Sequence, residues 1–368
     1  MTSRRTLLLA PILLASSANA QPPQDTFDGV KRIVAIGDIH GDYPRLIELL
    51  RTAQLINTKN AWTGGKANLV LTGDYVDRGP DSAKVMDFLI DLEPKAQKAG
   101  GQVHALIGNH ETMDIMGDLR YVTPEDYKGY QQPNSKELRD AFLKSTLEEL
   151  KKSGTPLSDE AAWKKKFEEE HPLGWVEHRI AFLPTGKYGK WLRQKNTVIK
   201  INDAIFLHGG IALKYADTPI REINERVRAE LADLTKIQGG IVGDVEDSPV
   251  WYRGMAQLPE TDQATQALVD HVLKTHQVKH IVIGHTPMPG ILPRFGGKVI
   301  TIDVGLSKFY GGPNSFLLID DSKYYAVHRG RQLDLPVNGG GLLEYLGAAA
   351  QLDPPDTPLR KLLASQRP

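Results

Sequence analysis

The sequence predicts an α/β protein built on parallel strands, and three observations carry that expectation. Short apolar runs rich in β-branched residues alternate with helix-length segments, the runs recur about every 35 residues, and each closes on a glycine. The first run, residues 32–36, ends at Gly37, and Tyr43 to Ile56 then carries Leu46, Leu49 and Leu50 at helical spacing. The second, residues 68–71, ends at Gly73 and is followed by a helix-like stretch from Ser82 to Ala99. The third, Gln102 to Ile107, ends at Gly108. Loops leaving the carboxyl ends of consecutive βαβ strands converge on one sheet edge, where ligands bind. The three glycine-led loops are therefore expected side by side.

Residues 118–195 break this rhythm. Lys136 to Glu170 reads as two charged amphipathic helices parted near Ser153-Gly154-Thr155-Pro156, and the segment is expected to be a helical insertion or cap. Its Lys164-Lys165-Lys166 run, followed by Glu168-Glu169-Glu170, reads as a solvated, self-paired helix face rather than a phosphate site. Strands resume at Thr197–Ile201 and Ala204–Leu207 around an Asn202-Asp203 turn, then at His280–Ile283, Lys298–Asp303 and Phe316–Ile319. Residues 335–368, with three successive glycines and Pro354-Pro355, read as a loosely attached tail. No internal repeat is visible.

The 368 residues are 40% hydrophobic and 24% charged, which permits one large domain with insertions or two domains. Forty-five basic residues against 45 acidic leave no field for duplex nucleic acid, and no nucleic-acid partner is expected. With no cysteine, disulfides, thiolate metal sites and a cysteine nucleophile are all excluded, so a bound metal must be held by His, Asp, Glu or Asn. At the amino terminus, Arg4-Arg5, an apolar stretch from Thr6 to Ala15 and Ser17-Ala18-Asn19-Ala20 read as a signal peptide over residues 1–20. The alternative is a buried N-terminal helix. The arginine pair resembles a twin-arginine signal, with general export equally open. A periplasmic or secreted protein without a membrane anchor is the expectation.

Five loops carry chemistry: Gly37-Asp38-Ile39-His40-Gly41-Asp42, Gly73-Asp74-Tyr75-Val76-Asp77-Arg78-Gly79, Gly108-Asn109-His110-Glu111, His208-Gly209-Gly210 and Gly284-His285. Carboxylate, imidazole and carboxamide are donors that manganese, iron or zinc accept where thiolates are absent. Alone, each loop is weak; an Asp-x-His at a strand end is more often a hydrogen-bonded pair than a ligand set. Together, expected at one edge of one sheet, they describe a single site.

This set resembles the calcineurin-like metallophosphoesterases, and within them the phosphoprotein phosphatase family. The middle motif, complete with Asp77, Arg78 and Ser82, is the specific one. The long gap before His208 and the segments 189–193, 201–203 and 248–254 are similar to the bacterial Shewanella-like protein phosphatases. The resemblance covers roughly residues 30–330, taken as the catalytic domain, and leaves 118–170 and the tail unmatched.

The resemblance implies a four-layer α/β/β/α sandwich with a helical insertion, and two divalent cations, manganese foremost with iron or zinc as alternatives. Asp38 and His40 would bind the first cation, Asp74 would bridge both, and Asn109, His208 and His285 would complete the second. Such cations, about 3.5 Å apart, clamp an in-line displacement by a shared hydroxide. It implies direct attack on phosphorus without a phosphoenzyme. His110 would be the general acid, with Asp77 orienting it; the plainer reading of Asp77 is a turn-capping carboxylate. Arg78 would hold phosphate oxygens in a bidentate fork. Arg253 is a second clamp candidate, beside the plainer reading of a surface arginine next to an aromatic. The implied substrates are phosphoproteins, phosphopeptides or small phosphate monoesters. A dinucleoside polyphosphate or other phosphodiester hydrolase is the alternative on the same motifs, and a metal-binding interaction protein is the non-enzymatic one. His104, His171, His178, His271, His276, His280 and His328 fall outside the motifs.

Overall fold

The computed structural model describes residues 22–154 and 157–365. The proposed signal peptide lies outside the described residues, as do Thr155 and Pro156 of the break between the two charged helices. The strands are β1 (Thr26–Phe27), β2 (Arg32–Ile36), β3 (Asn68–Leu71), β4 (Gln102–Ala105), β5 (Val198–Ile201), β6 (Ala204–Leu207), β7 (His280–Ile283), β8 (Leu292–Arg294), β9 (Val299–Thr301), β10 (Ser315–Asp320), β11 (Lys323–His328) and β12 (Arg331–Asp334). They form two six-stranded sheets, ordered β12-β11-β10-β2-β3-β4 and β1-β5-β6-β7-β9-β8. The runs β2-β3-β4 and β6-β7-β9 are parallel, and the outer strands β10 to β12, β5 and β8 add antiparallel pairings.

Every residue of β3, β6 and β7 is buried, so those strands are covered on both faces, as near-continuous apolar runs require. The expected class, a mixed α/β fold with two sheets and helices, is what forms. One correction concerns placement. The five motif loops leave two sheets, not one: β2, β3 and the β4 exit supply three, while His208 follows β6 and His285 follows β7. The βαβ succession ends when the chain leaves β4 for the long helical segment, and the next parallel strands start a separate sheet. Backbone-to-side-chain bonds join the two strand-end edges, with His285 N donating to Asp38 Oδ1 at 3.0 Å and Thr72 O lying 2.9 Å from His208 Nδ1.

Helices α1 (Tyr43–Thr52) and α2 (Ser82–Lys98) follow β2 and β3. The first is capped by Asp42, which accepts from Arg45 N, and it stops four residues short of Ile56. Leu55 N turns back to Leu50 O and Gln54 adopts φ 56°, a left-handed C-terminal turn that no residue pattern announces. Next come α3 (Asn109–Met116), α4 (Pro124–Lys128), α5 (Ser135–Lys152), α6 (Glu160–Glu170), α7 (Trp175–Phe182) and α8 (Lys187–Leu192), then α9 (Ile220–Ala232), α10 (Gly254–Gln257) and α11 (Gln263–His276). The insertion is thus helical, and its lysine run pairs with its own face, Lys164 with Glu160 and Lys166 with Glu170. Among the described residues no helix is long and apolar enough to cross a membrane.

The tail is the second correction. Following β12, it forms α12 (Leu342–Leu352) and α13 (Pro358–Ser365), with Tyr345, Leu346, Ala349, Ala350 and Leu359 buried. Tyr345 OH donates to Ile291 O at 2.7 Å, and Asp353 receives His328 Nε2 at 2.9 Å and Arg329 Nε at 2.5 Å. The glycines and prolines punctuate docked elements instead of marking a free end, because α12 is apolar enough to need a surface to cover. Leu346→Ala is therefore expected to lower the unfolding free energy in urea by about 2–5 kcal/mol. A loss below about 0.5 kcal/mol, typical of surface sites, would restore the loose-tail reading.

Candidate metal centre and active site

The site residues stand on a backbone under unusual constraint. His40, Asp74, Asp77, Arg78 and His285 take φ of 47°, 52°, 67°, 62° and 67°, the left-handed region that costs a non-glycine residue on the order of 1–3 kcal/mol. The surroundings hold them there. Asp74 O accepts from both Ile39 N and His40 N at 2.9 Å, tying the first loop to the second. Buried Glu111 does the same for the second and third: Oε2 accepts from Asp74 N (2.9 Å) and Gly108 N (2.7 Å), and Oε1 from Tyr75 N (2.9 Å). Gly73, at φ 107°, is the close approach this demands, since a Cβ there would lie 2.6 Å from Gly108 Cα.

Asp38, His40, Asp74, Asn109, His208 and His285, the six residues expected as ligands, are all buried. The structure gathers Asp74, His208 and His285 into one compact group of potential donors and Asp74, His40 and His110 into another, with Asp74 common to both. Asn109 Oδ1 lies 2.9 Å from His208 Nε2, which is itself 3.2 Å from Asp74 Oδ1. Asp38 Oδ2 is 3.9 Å from His40 Nε2.

The imidazoles are aimed by their second nitrogens. His40 Nδ1 lies 3.1 Å from Val76 O, His208 Nδ1 2.9 Å from Thr72 O, and His285 Nε2 3.0 Å from Trp251 O. Each carbonyl fixes the proton on that nitrogen and leaves the other with its lone pair directed into the site, the usual orientation of metal-binding histidines. Burial pushes His40 down to about 3, against the pull of Asp74, and burial with His208 and Arg253 beside it holds His285 well below the ordinary range; both rings are neutral donors at neutral pH.

The carboxylates are crowded. Burial, then Asp303 and Asp74, push Asp38 well above the ordinary value, and burial raises Asp303 to about 6. Burial works against ionised Asp74 too, but His208, His110 and His40 outweigh it and hold this carboxylate well below the ordinary value. Neutral imidazoles, a carboxamide and closely set carboxylates suit divalent cations, which would neutralise the crowd.

Beside this set, His110 Nδ1 lies 2.7 Å from Asp77 Oδ2, while its Nε2 faces Asp74 Oδ2 at 3.7 Å and Arg78 NH2 at 3.4 Å. Burial, then Asp114, push Asp77 up to about 7; for His110 burial works downward, and Asp74 and Asp77 overcome it and raise it. Both shifts favour keeping a proton on the pair. The Arg78 guanidinium lies 4.6 Å from the ring of Tyr121 and 5.3 Å from those of Phe309 and Tyr310, three exposed aromatics at the mouth of the site. Arg253 lies at the site margin, its NH1 donating to His285 O (2.7 Å) and Thr286 Oγ1 (3.1 Å), so one arm of that fork is spent on holding a histidine loop.

The sequence reading gave no role to Glu111, Asp303, Tyr121, Phe309 or Tyr310. Glu111 was visible inside its motif, and Asp303 ends a strand-like run as the other site residues do. The three aromatics carry no local signal, because Tyr121 reaches Arg78 from one loop and Phe309-Tyr310 from another far along the chain.

With this geometry in place, comparison with known proteins is informative. The calcineurin-like phosphoesterase family matches residues 31–300. Shewanella-like protein phosphatase 2 of Arabidopsis thaliana is 34% identical over 298 residues, covering 77% of this chain and 74% of that protein. An uncharacterized protein of Schizosaccharomyces pombe is 33% identical over 316 residues, 82% of each chain. Among solved structures, the cold-active protein-tyrosine phosphatase of a psychrophilic Shewanella superposes with a TM-score of 0.66 at 30% identity, covering 86% of this chain and 83% of that one. The buried, oxygen- and nitrogen-lined centre thus has its family context, and the chain belongs to the calcineurin-like phosphoesterases as a metal-dependent phosphatase related to the Shewanella-like protein phosphatases.

Proposed function

We propose that this chain is an exported phosphomonoesterase that acts on phosphorylated proteins or peptides, with phosphotyrosyl esters preferred, at a centre of two divalent cations. The observation that carries the reading is the aim of His110: one ring nitrogen is anchored on Asp77 and the other faces the donor set next to Arg78. Asp38, His40, Asp74, Asn109, His208 and His285 are the residues that would hold the cations, manganese being the first choice. When bound, the cations supply Lewis acidity and a nucleophile at neutral pH.

The chain's own groups do the rest. Arg78 holds phosphate oxygens, and the three surrounding aromatics keep its guanidinium in place by stacking. As the new P–O bond forms and the ester P–O bond breaks, His110 Nε2 gives its proton to the departing oxygen. Asp77 holds the ring and stabilises its charged form. With no cysteine in the chain, direct transfer of the phosphoryl group to water is the simplest course. The exposed rings of Tyr121, Phe309 and Tyr310 offer an aryl leaving group stacking surface that an alkyl ester cannot use. The tyrosine phosphatase named above supports the same substrate class. Export is supported by Arg4-Arg5, the apolar stretch after them and the small residues before Gln21.

Two measurements test this. Chelated enzyme is expected to lose turnover and Mn²⁺ to restore it. His110→Asn in the restored enzyme should then lose about 10²–10⁴-fold on phenyl phosphate, with a much smaller loss on p-nitrophenyl phosphate, whose leaving group needs no proton. Equal losses on both esters would remove His110 from the acid role. The second is a comparison of otherwise identical phosphotyrosyl and phosphoseryl peptides. The phosphotyrosyl peptide should show the higher kcat/KM, and Phe309→Ala with Tyr310→Ala should narrow the gap by about 1–3 kcal/mol in transition-state binding. Diadenosine tetraphosphate as the best substrate would instead establish the polyphosphate reading.

A further inference from the structure

The start of the helical insertion touches the Asp77–Ser82 loop at three places. Arg78 N donates to Tyr121 O at 3.0 Å, Thr123 Oγ1 donates to Gly79 O at 3.5 Å, and Ser82 N donates to Asp126 Oδ1 at 2.9 Å. Ser82 in turn reaches back to the site, its Oγ accepting from Asp77 N at 3.0 Å. An unbroken path therefore runs from Asp126 through Ser82 to Asp77 and on to His110.

The contacts are built, not incidental. Asp126 is 1% exposed, and its carboxylate sits on the first turn of the 17-residue α2, where free N–H groups and the helix dipole favour an anion. Thr123 holds Asp126 in turn, its Oγ1 accepting from Asp126 N at 3.2 Å, with Pro124 opening α4. The Tyr121 ring lies 5.0 Å from the His110 ring as well as against Arg78. What the segment grips is the strained stretch of the site, since Asp77 and Arg78 are consecutive non-glycine residues in the left-handed region. Such a stretch persists only where neighbours over-determine it.

We propose that residues 121–126 form a strap that positions the acid and the phosphate clamp together, with Asp126 as its anchor. The insertion then serves turnover through residues 121–126 near its start, whatever its later helices do. Asp126 touches neither substrate nor cation; it is a positioning residue acting through Ser82. This inference rests on the roles proposed above for Asp77, His110 and Arg78, and the readouts below separate the two.

The test is Asp126→Ala in the Mn²⁺-loaded enzyme, followed first by amide hydrogen exchange. Exchange at Arg78 N, whose acceptor Tyr121 O is unaltered, should accelerate by about tenfold or more. Asp126→Asn, which keeps an oxygen for Ser82 N, should restore slow exchange. In the same enzyme kcat on phenyl phosphate should fall by roughly 10- to 100-fold, as a displaced acid requires, with a smaller fall on p-nitrophenyl phosphate. Unchanged exchange at Arg78 in Asp126→Ala would overturn the strap, and so would equal losses on the two esters. Should Asp126→Ala fail to fold, Thr123→Val carries the same exchange readout at Arg78 and Gly79, with the same overturning result. If His110→Asn does not distinguish the esters, the acid assignment falls, and the exchange data alone decide the strap.

Discussion

The whole centre hangs on Asp74. Its carboxylate is common to both groups of potential donors, its carbonyl accepts from two amides of the first loop, and its own amide is held by Glu111 of the third. Asp74 thus joins three loops from one sheet and also faces His208 from the second. Such a junction can form only if the backbone turns sharply at the strand end, which is why Asp74 sits at φ 52° directly after Gly73 at φ 107°. The strain there is local, whereas the compensation is distributed over Ile39, His40, Tyr75, Gly108 and Glu111. That arrangement favours a rigid site: moving any one loop breaks hydrogen bonds on two others.

Much of this was legible in the sequence, and the limits have physical causes. The strands β2, β3, β6 and β7 were readable because each is a short apolar run stopped by a glycine or histidine at the edge where function requires a turn. The motif residues were readable because donors and glycines recur at each such edge. The division into two sheets was legible only through the family resemblance, and the sharing of the motif loops between them was not, since periodicity reports strands but not which sheet the chain enters after an interruption. The docked tail was missed for a related reason. Gly339-Gly340-Gly341 and Pro354-Pro355 are loud local signals, while the burial of Tyr345 and Leu346 depends on a surface supplied by β12, α13 and Ile291. Tyr121, Phe309 and Tyr310 were invisible because a cage around Arg78 is a tertiary fact.

The insertion illustrates how a segment without a motif can still be written in the sequence. Thr123-Pro124-Glu125-Asp126 is a helix start, with a hydroxyl cap, a proline in the first turn and acidic residues after it. Local reading accounts fully for the helix and leaves nothing over for Asp126. Only the structure shows that this residue serves two helices at once, its amide bonded to the Thr123 cap of α4 and its carboxylate covering the amide of Ser82 at the start of α2. A residue that satisfies a local rule can thus carry a distant constraint without leaving any trace in the pattern.

The histidines carry a distinction that composition hides. His40, His208 and His285 each place one nitrogen against a backbone carbonyl, whereas His110 places one against a carboxylate. A carbonyl is neutral: it fixes a single ring proton and leaves the opposite nitrogen as a lone pair, which is what a cation requires. A carboxylate is charged, so it favours the doubly protonated ring and leaves the opposite nitrogen bearing a proton, which is what a departing oxygen requires. Under the roles proposed above, the difference between ligand and acid therefore lies in the partner behind each ring. Val76, Thr72 and Trp251 contribute through their main chains, whereas Asp77 contributes through its own carboxylate, so the proposed acid role needs an acidic side chain at that position where the three carbonyls need none.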